Sequence, residues 1–543
     1  MLTQLKTPGA FIEEVSKFPP SVAQVETAIP VFIGITEKAT RKVEGDLSES
    51  LVRITSLLEY ETLFGGAKKE TVELIDDAEN GLTLVAPEVK FLMPYAMQLF
   101  FANGGGPCYI ISIGGFVDES SSELKSRIET CLAEAAKEDE ITLLVFPDAT
   151  QTLNEEDFYG MYQIALDQAN ELKDRFVLID TYKGTTTDLT TIDTNVDKDT
   201  IFHLRNNVPG DKYGAAYFPY LKTILNPVFN EKAAIVHTGT GYDYSAEEIL
   251  LNNLIVEINA DTAGDDLEEN RTALLAIFET INETYDFPFD LTPYIDATTS
   301  AELAAAYFNN VVDAGGFSSD NLGALSGQKL EDLKGTTLYN EIQALINAVP
   351  VVLPPSAAMA GVYAKTDSTR GVWKAPANVG LNFVVGPTEK VDNTQQDGLN
   401  VDATAGKSIN VIRTFTGKGT LVWGARTLDG NSNGWRYISV RRFFNMVEES
   451  VKKASERFVF DSNDANTWIR VKGMIENFLN TQWRAGALAG ATPEDAYFVS
   501  VGLDETMSAQ DILEGRMIVE IGMAAVRPAE FIILRFSHKL QES

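Results

Sequence analysis

The chain has 543 residues, too many for one compact core and enough for three or four units of roughly 150. Its hydrophobic content of 44% and aromatic content of 10% exclude whole-chain disorder. The 78 acidic against 44 basic residues leave a net charge of −34 that no Lys/Arg-rich run offsets, which excludes phosphate backbones and anionic membrane surfaces as partners.

The first nine residues, MLTQLKTPG, lack the apolar core of a secretory signal, and no later stretch approaches ~18 uninterrupted apolar residues. Neither export by that route nor membrane insertion is expected. Phe11, Ile12 and Val15 then stand between Pro8-Gly9 and Pro19-Pro20, a spacing that isolates a short extended arm from the body.

Over residues 102–226 short apolar runs alternate with helical patterns: strands at 109–113, 141–146 and 176–179, helices at 121–137 and 155–172. Runs of this kind are typical of strands buried on both faces, and the helices are long enough for crossovers, so an α/β unit is expected. Residues 227–350 follow with 21 acidic and 4 basic side chains, half the net charge of the molecule in 124 residues. Leu274, Leu275, Phe278 and Ile281, then Leu303, Tyr307 and Val311, and finally Ile342, Leu345, Ile346 and Val349 recur at helical spacing. An acidic, helix-rich outer insertion is expected there, closed by Pro350, Pro354 and Pro355.

The C-terminal third is close to neutral, with 19 basic and 20 acidic residues from 371 onward. Strands are expected at 421–428, 497–501, 517–523 and 531–536. Between them Val440, Phe443, Phe444, Val447, Val451, Ala454 and Phe458 form one helical stripe, with Arg441, Arg442, Lys452, Lys453 and Arg457 largely off it. A second helix, 467–483, buries Trp468, Val471, Ile475, Phe478 and Leu479 in the same way. In the last strand Phe531 and Ile533 face one way while Ile532, Leu534 and Phe536 face the other, so both faces want cover.

Catalytic constellations are scarce. Cys108 and Cys131 are too few for a disulfide framework or a four-ligand zinc site and read as core thiols. His203, His237 and His538 are far apart, outside any metal-binding spacing. The stretch Thr404-Ala405-Gly406-Lys407-Ser408 has Val401 where a phosphate loop needs its first glycine, and Gly104-Gly105-Gly106 runs from helix to strand, the reverse of a dinucleotide loop. Asp261, Asp265, Asp266, Glu268 and Glu269 lack the central glycine of an EF-hand loop, and no G-x-S-x-G elbow is present. No catalytic, cofactor or metal residue is assigned and no cofactor is expected. The competing enzymatic reading is an acidic carbohydrate-active hydrolase working through a carboxylate pair that spacing alone does not single out.

Apolar, strand-forming residues at both termini point elsewhere, since termini ordinarily fray. Extended segments dock by adding to a sheet edge, and a head-to-tail exchange of such segments builds open helical polymers or rings. The alternative is that both arms pair within their own chain.

Several ordered stretches carry a family resemblance: TPGAFIEEV at 7–15, ITSLLEYETLFGG at 54–66, FFANGGGPCY at 100–109, PPSAAMAGVYAKTD and GVWKAPAN within 351–378, WRAGALAGATPEDAYF within 463–502, and VRPAEF at 526–531. Through them the chain resembles the contractile tail sheath proteins of myophage tails, R-type pyocins and phage-tail-like injection devices. The acidic insertion lies outside the resemblance.

What the resemblance implies is a structural, non-enzymatic subunit of mixed α/β and α+β multidomain fold. Its core domain would combine residues 26–101 and 379–525, with an inserted α/β domain at 102–226 and its return segment at 351–378. The insertion 227–350 would face outward, flanked in the whole chain by arms at 1–25 and 526–543. Such subunits polymerise with copies of themselves around an inner tube protein between baseplate and terminal cap proteins, knit by strand exchange. They contract from a metastable extended state to drive the tube through a target envelope. The resemblance implies assembly in the bacterial cytoplasm as part of a phage tail or phage-tail-like particle, with the long insertion favouring the injection device. The expected inter-subunit arm residues are Phe11, Ile12, Val15, Phe531, Ile532, Ile533, Leu534 and Phe536. The expected tube-facing basic helix carries Arg441, Arg442, Lys452, Lys453 and Arg457, with 467–483 as the second candidate.

Overall fold

The computed structural model describes residues 21–77, 81–117, 119–184, 200–240, 267–285 and 325–535, and residues 254, 294, 297, 299, 302 and 303 besides. Phe11, Ile12, Val15 and Phe536 lie outside the described residues. The described chain falls into two compact units, one drawn from Met1–Gly65, Ala96–Leu221 and Pro354–Ser543, the other from Gly66–Tyr95 and Lys222–Leu353.

Thirteen of the described strands carry the main sheets of the two units. In chain order they begin with β1 (Pro30–Gly34), β2 (Val52–Ile54), β3 (Glu73–Asp77), β4 (Gly81–Leu84), β5 (Cys108–Ser112) and β6 (Leu143–Val145). They continue with β7 (Phe176–Asp180), β8 (Gly214–Phe218), β9 (Val236–Thr240), β10 (Ile409–Phe415), β11 (Gly419–Val422), β12 (Tyr497–Ser500) and β13 (Glu520–Met523).

The first unit is built on an eight-stranded sheet in the order β11-β10-β8-β7-β6-β1-β5-β2. Six adjacent strands run parallel, with β2 and β11 antiparallel at the two edges. Every residue of β1, β5, β6, β7 and β8 is buried, which is why these strands read as unbroken apolar runs. Helices α2 (Ser121–Ala135) and α3 (Glu155–Leu172) supply crossovers, and α2 opens on a reciprocal Ser120–Glu123 capping box. The boundary expected at residue 102 runs through the middle of this sheet. Strand β1, from one side of it, lies between β5 and β6 from the other, because Val31, Phe32 and Ile33 find parallel partners there. Strand β10 returns from far downstream and pairs Ile409 with Ala216.

Helix α6 (Ser356–Arg370) crosses the helix Met93–Ala102 at Gly361, where an added Cβ would lie 2.5 Å from the Phe100 carbonyl oxygen. Farther along, α7 (Ile438–Ser455) and α8 (Ala465–Arg484) pack together through Phe443, Met446, Val447, Val471, Ile475 and Phe478. Each such buried side chain contributes about 1.5–3 kcal/mol relative to exposure. Strands β12 and β13 form a separate two-stranded antiparallel sheet against the same cluster, through Val499 and Ile521.

The second unit has a three-stranded sheet, β9-β3-β4, with β9 parallel to β3. Its core joins Val72 and Leu74 to Phe229, Ile235, Leu330, Ile342 and Ile346. The helix Leu267–Tyr285 and the helix Thr337–Ala348 bear out the helical spacing, with Leu274, Phe278, Ile342 and Ile346 buried. Residues 66–95 belong to this unit, so the acidic segment completes its sheet with strands borrowed from much earlier in the chain.

Candidate assembly site

The N-terminal segment is fastened where it enters the first unit. Val25 N–H donates to Ser450 Oγ at 3.1 Å, and Val22 and Val25 pack on the α7–α8 cluster. The Thr27 hydroxyl donates to Asp367 Oδ2 at 2.6 Å, and Arg442 donates both to the Thr27 carbonyl at 2.6 Å and to Asp367 in a bidentate pair. Arg442 and Asp367 are both buried, which makes the fork geometry costly to disrupt.

Arg441 and Arg442 therefore do not belong to an exposed basic face. The Arg441 guanidinium stacks 4.3 Å from the Trp435 ring centroid and 4.9 Å from that of Tyr213, and pairs with Asn445 and Glu448. An amphipathic stripe marks one buried face, but α7 is covered on a second flank too, where Asn445 reaches the Arg175 carbonyl. Stacked, paired guanidinium groups can line such a flank. Lys452 and Arg457 are exposed, while Lys453 is half-buried; both lysines pair with Glu449. On α8, Ile469, Arg470 and Arg484 face solvent.

The C-terminal segment is fastened in a comparable way. Backbone bonds from Ala489 to Ala524, Ala524 to Ala496 and Val526 to Ala487 carry the chain past the end of β13. Glu530 then meets the buried Arg426, whose Nη2 and Nε lie 2.6 and 3.0 Å from its carboxylate oxygens. Asn400 Nδ2 donates to Glu530 at 2.8 Å and the Tyr437 hydroxyl at 3.2 Å. Burial pushes the Glu530 carboxyl up, but the bonds from Arg426 and Asn400, the Arg426 charge and Tyr437 outweigh it and hold it below the usual carboxylate range. Burial and the Glu530 charge raise the Tyr437 phenol, so it stays a donor.

Beyond this tie Phe531, Ile532, Ile533 and Leu534 are 70, 78, 78 and 72% exposed. They form no strand, where the alternation predicts one. The result is a run of four consecutive uncovered apolar side chains. Val526 to Ile532 form one wall of a groove of about 750 Å³ whose other walls include Trp373, Arg413, Trp423 and Tyr437. Strands β12 and β13 pair only with each other among the described strands, and Phe498 and Ile518 are exposed.

Sequence reasoning singled out Phe531 to Leu534, which are exposed, but missed the residues that fasten the segment before them. Glu530 was the available signal: a lone carboxylate within VRPAEF, next to an apolar run, needs a buried cation. Among the described residues no cluster of His, Cys, Asp or Glu could hold a metal, and no helix is long and apolar enough to cross a membrane. Cys108 and Cys131 are buried, and burial pushes the Cys131 thiol up to about 12 and Cys108 higher, as inert core thiols require.

Comparison with known proteins gives a consistent result. The phage tail sheath central-domain family matches residues 296–428 and the phage tail sheath C-terminal-domain family residues 431–539. The tail sheath protein of Vibrio phage KVP40 is 24% identical over 185 residues, 34% of this chain and 26% of that protein, so the chain matches about a quarter of that relative's length. The helical sheath of the anti-feeding prophage in its contracted state aligns with 98% of this chain and 100% of its own, at 28% identity and a TM-score of 0.58. The contracted sheath of the PVC extracellular contractile injection system aligns over 99% of both chains, at 26% identity and a TM-score of 0.55. By fold and by these matches, the chain is a contractile tail sheath protein.

Proposed function

We propose that the chain is the repeating sheath subunit of a contractile injection machine. It polymerises around an inner tube in a metastable extended state and shortens to drive the tube through a target envelope. The observation that carries this reading is the exposed run Phe531–Leu534, fastened at its root, in a subunit whose β12–β13 sheet has no third strand among the described residues. Covering those four side chains on a neighbour would gain roughly 6–12 kcal/mol before the cost of ordering and association. Main-chain pairing along a β12 or β13 edge would add direction and register.

The partners follow from that role: other copies of the chain, an inner tube protein, and baseplate and cap proteins at the ends. The alignment over nearly the whole chain with the sheath of an extracellular contractile injection system supports an injection device. The residues left for a charged tube contact are Lys452, Lys453 and Arg457 at the end of α7, with the outer face of α8 beside them. Exposed ion pairs are each worth under ~1 kcal/mol and are screened by salt, so many copies hold collectively and release together. Strand exchange is harder to break and would keep the mesh joined as subunits pivot.

The test is electron microscopy of the full chain and of two truncations, one lacking residues 1–20 and one ending at Ala525. Tubes or rings from the full chain, and folded but unassembled subunits from both truncations, are the expected result. Truncated chains that still form tubes would remove strand lending from the account.

A further inference from the structure

Resting on the strand-lending reading, we infer that Arg426 and Glu530 are positioning residues that clasp the root of the C-terminal arm to its own subunit and fix the direction in which Phe531–Leu534 leave it. The clasp consists of a buried guanidinium, a carboxylate it holds through two nitrogens at 2.6 and 3.0 Å, and two further donors, Asn400 and Tyr437. Arg426 is itself locked, since its Nη1 donates to the Asn400 carbonyl at 3.2 Å and its own N–H to Asn410 Oδ1 at 2.8 Å. Asn410 lies in β10, so Arg426, itself beyond the end of β11, is tied to the eight-stranded sheet.

The carboxylate sits one residue before the exposed run, which is where such a tie has most control. A freely hinged arm would search many directions before finding a neighbouring edge, and a clasped arm has lost that freedom before the encounter. In a polymer the same tie would pass load from the lent strand into the parent sheet, through charge-assisted hydrogen bonds rather than through main-chain pairing alone. The interaction is local to the arm, so it can be removed without cutting into the hydrophobic core.

The measurement uses the full chain with nitroxide labels at Lys418→Cys and Ile532→Cys, both exposed positions, with the buried native thiols left in place and labelled chain diluted into excess unlabelled chain. The 418–532 distance distribution is compared for the native clasp, Glu530→Gln and Glu530→Arg, alongside the concentration at which each polymerises. Expected are a narrow native distribution, broadening in both variants and strongest in Glu530→Arg, and an assembly threshold raised about tenfold or more. Glu530→Gln keeps a neutral acceptor for the buried Arg426 and should leave the body folded, which its cooperative unfolding checks. Distributions of equal width in all three chains overturn the clasp. So does a native threshold in the variants when truncation at Ala525 abolishes assembly. If the Ala525 truncation itself assembles, it is strand lending that fails, and the label distances still decide whether the clasp exists.

Discussion

Single residues in this molecule are often buried charges given a structural task. Asp180, at the end of β7, accepts from the Ser356 N–H at 2.9 Å and from its Oγ at 2.5 Å, closing the N-terminus of α6. Burial pushes its carboxyl up to about 7 against the pull of those two bonds. An unfolded Asp titrates near 3.8, so between that value and about 7 the folded chain holds a proton that the unfolded chain has lost. Its contribution is therefore fully present below about 3.8 and disappears as pH rises through about 7. Asp180→Asn should flatten this dependence. Denaturant midpoints between pH 4.5 and 8 should show the native chain losing ground to the variant as pH rises, and a native chain that gains ground would contradict the assignment. Such roles are hard to read from sequence, because a carboxylate at a strand end gives no hint that a serine 176 positions later will cap it.

At the level of elements, legibility followed periodicity. The helix at 155–172 and the buried strands at 109–113, 141–146 and 176–179 were readable because each pattern has one period and one consequence. The helix α7 was readable on its Val440–Phe458 stripe and misleading on its other flank, since amphipathicity assumes a single buried face. Strand β10 escaped notice because its seven residues include Asn410, Arg413 and Thr414 and its parallel partner β8 lies nearly two hundred positions away. The crossing of α6 over the helix Met93–Ala102 depends on Gly361 having no side chain. Gly361→Ala should cost about 1–3 kcal/mol, read as a lowered denaturant midpoint, because the obstacle is the Phe100 backbone and not a rotatable side chain. An unchanged midpoint would mean that the two helices can separate freely at this crossing.

For the whole molecule, the sequence revealed an acidic segment and the resemblance to tail sheath proteins, but it did not reveal how the units divide. Charge marked 227–350, yet nothing in composition tied residues 66–95 to it, because that union rests on pairing such as Val236 with Glu73. The tube contact is testable now that Arg441 and Arg442 are accounted for. Reversing Lys452 and Arg457 to Glu should weaken co-sedimentation with the inner tube, more at low salt than at high, while sheath polymers and body stability persist. Full retention on the tube at low salt would shift the contact to α8.

The fastening of residues 24–29 onto α7 and α8, together with the late arrival of β10, bears on how the subunit is made. A ribosome adds roughly 5–20 residues per second, so the outer edge of β8 waits on the order of 10–40 s for Ile409–Phe415 to emerge. The seat for Thr27 is not synthesised until Arg442 appears. A nascent chain thus cannot complete the eight-stranded sheet or fasten its N-terminal segment until most of the chain has been made.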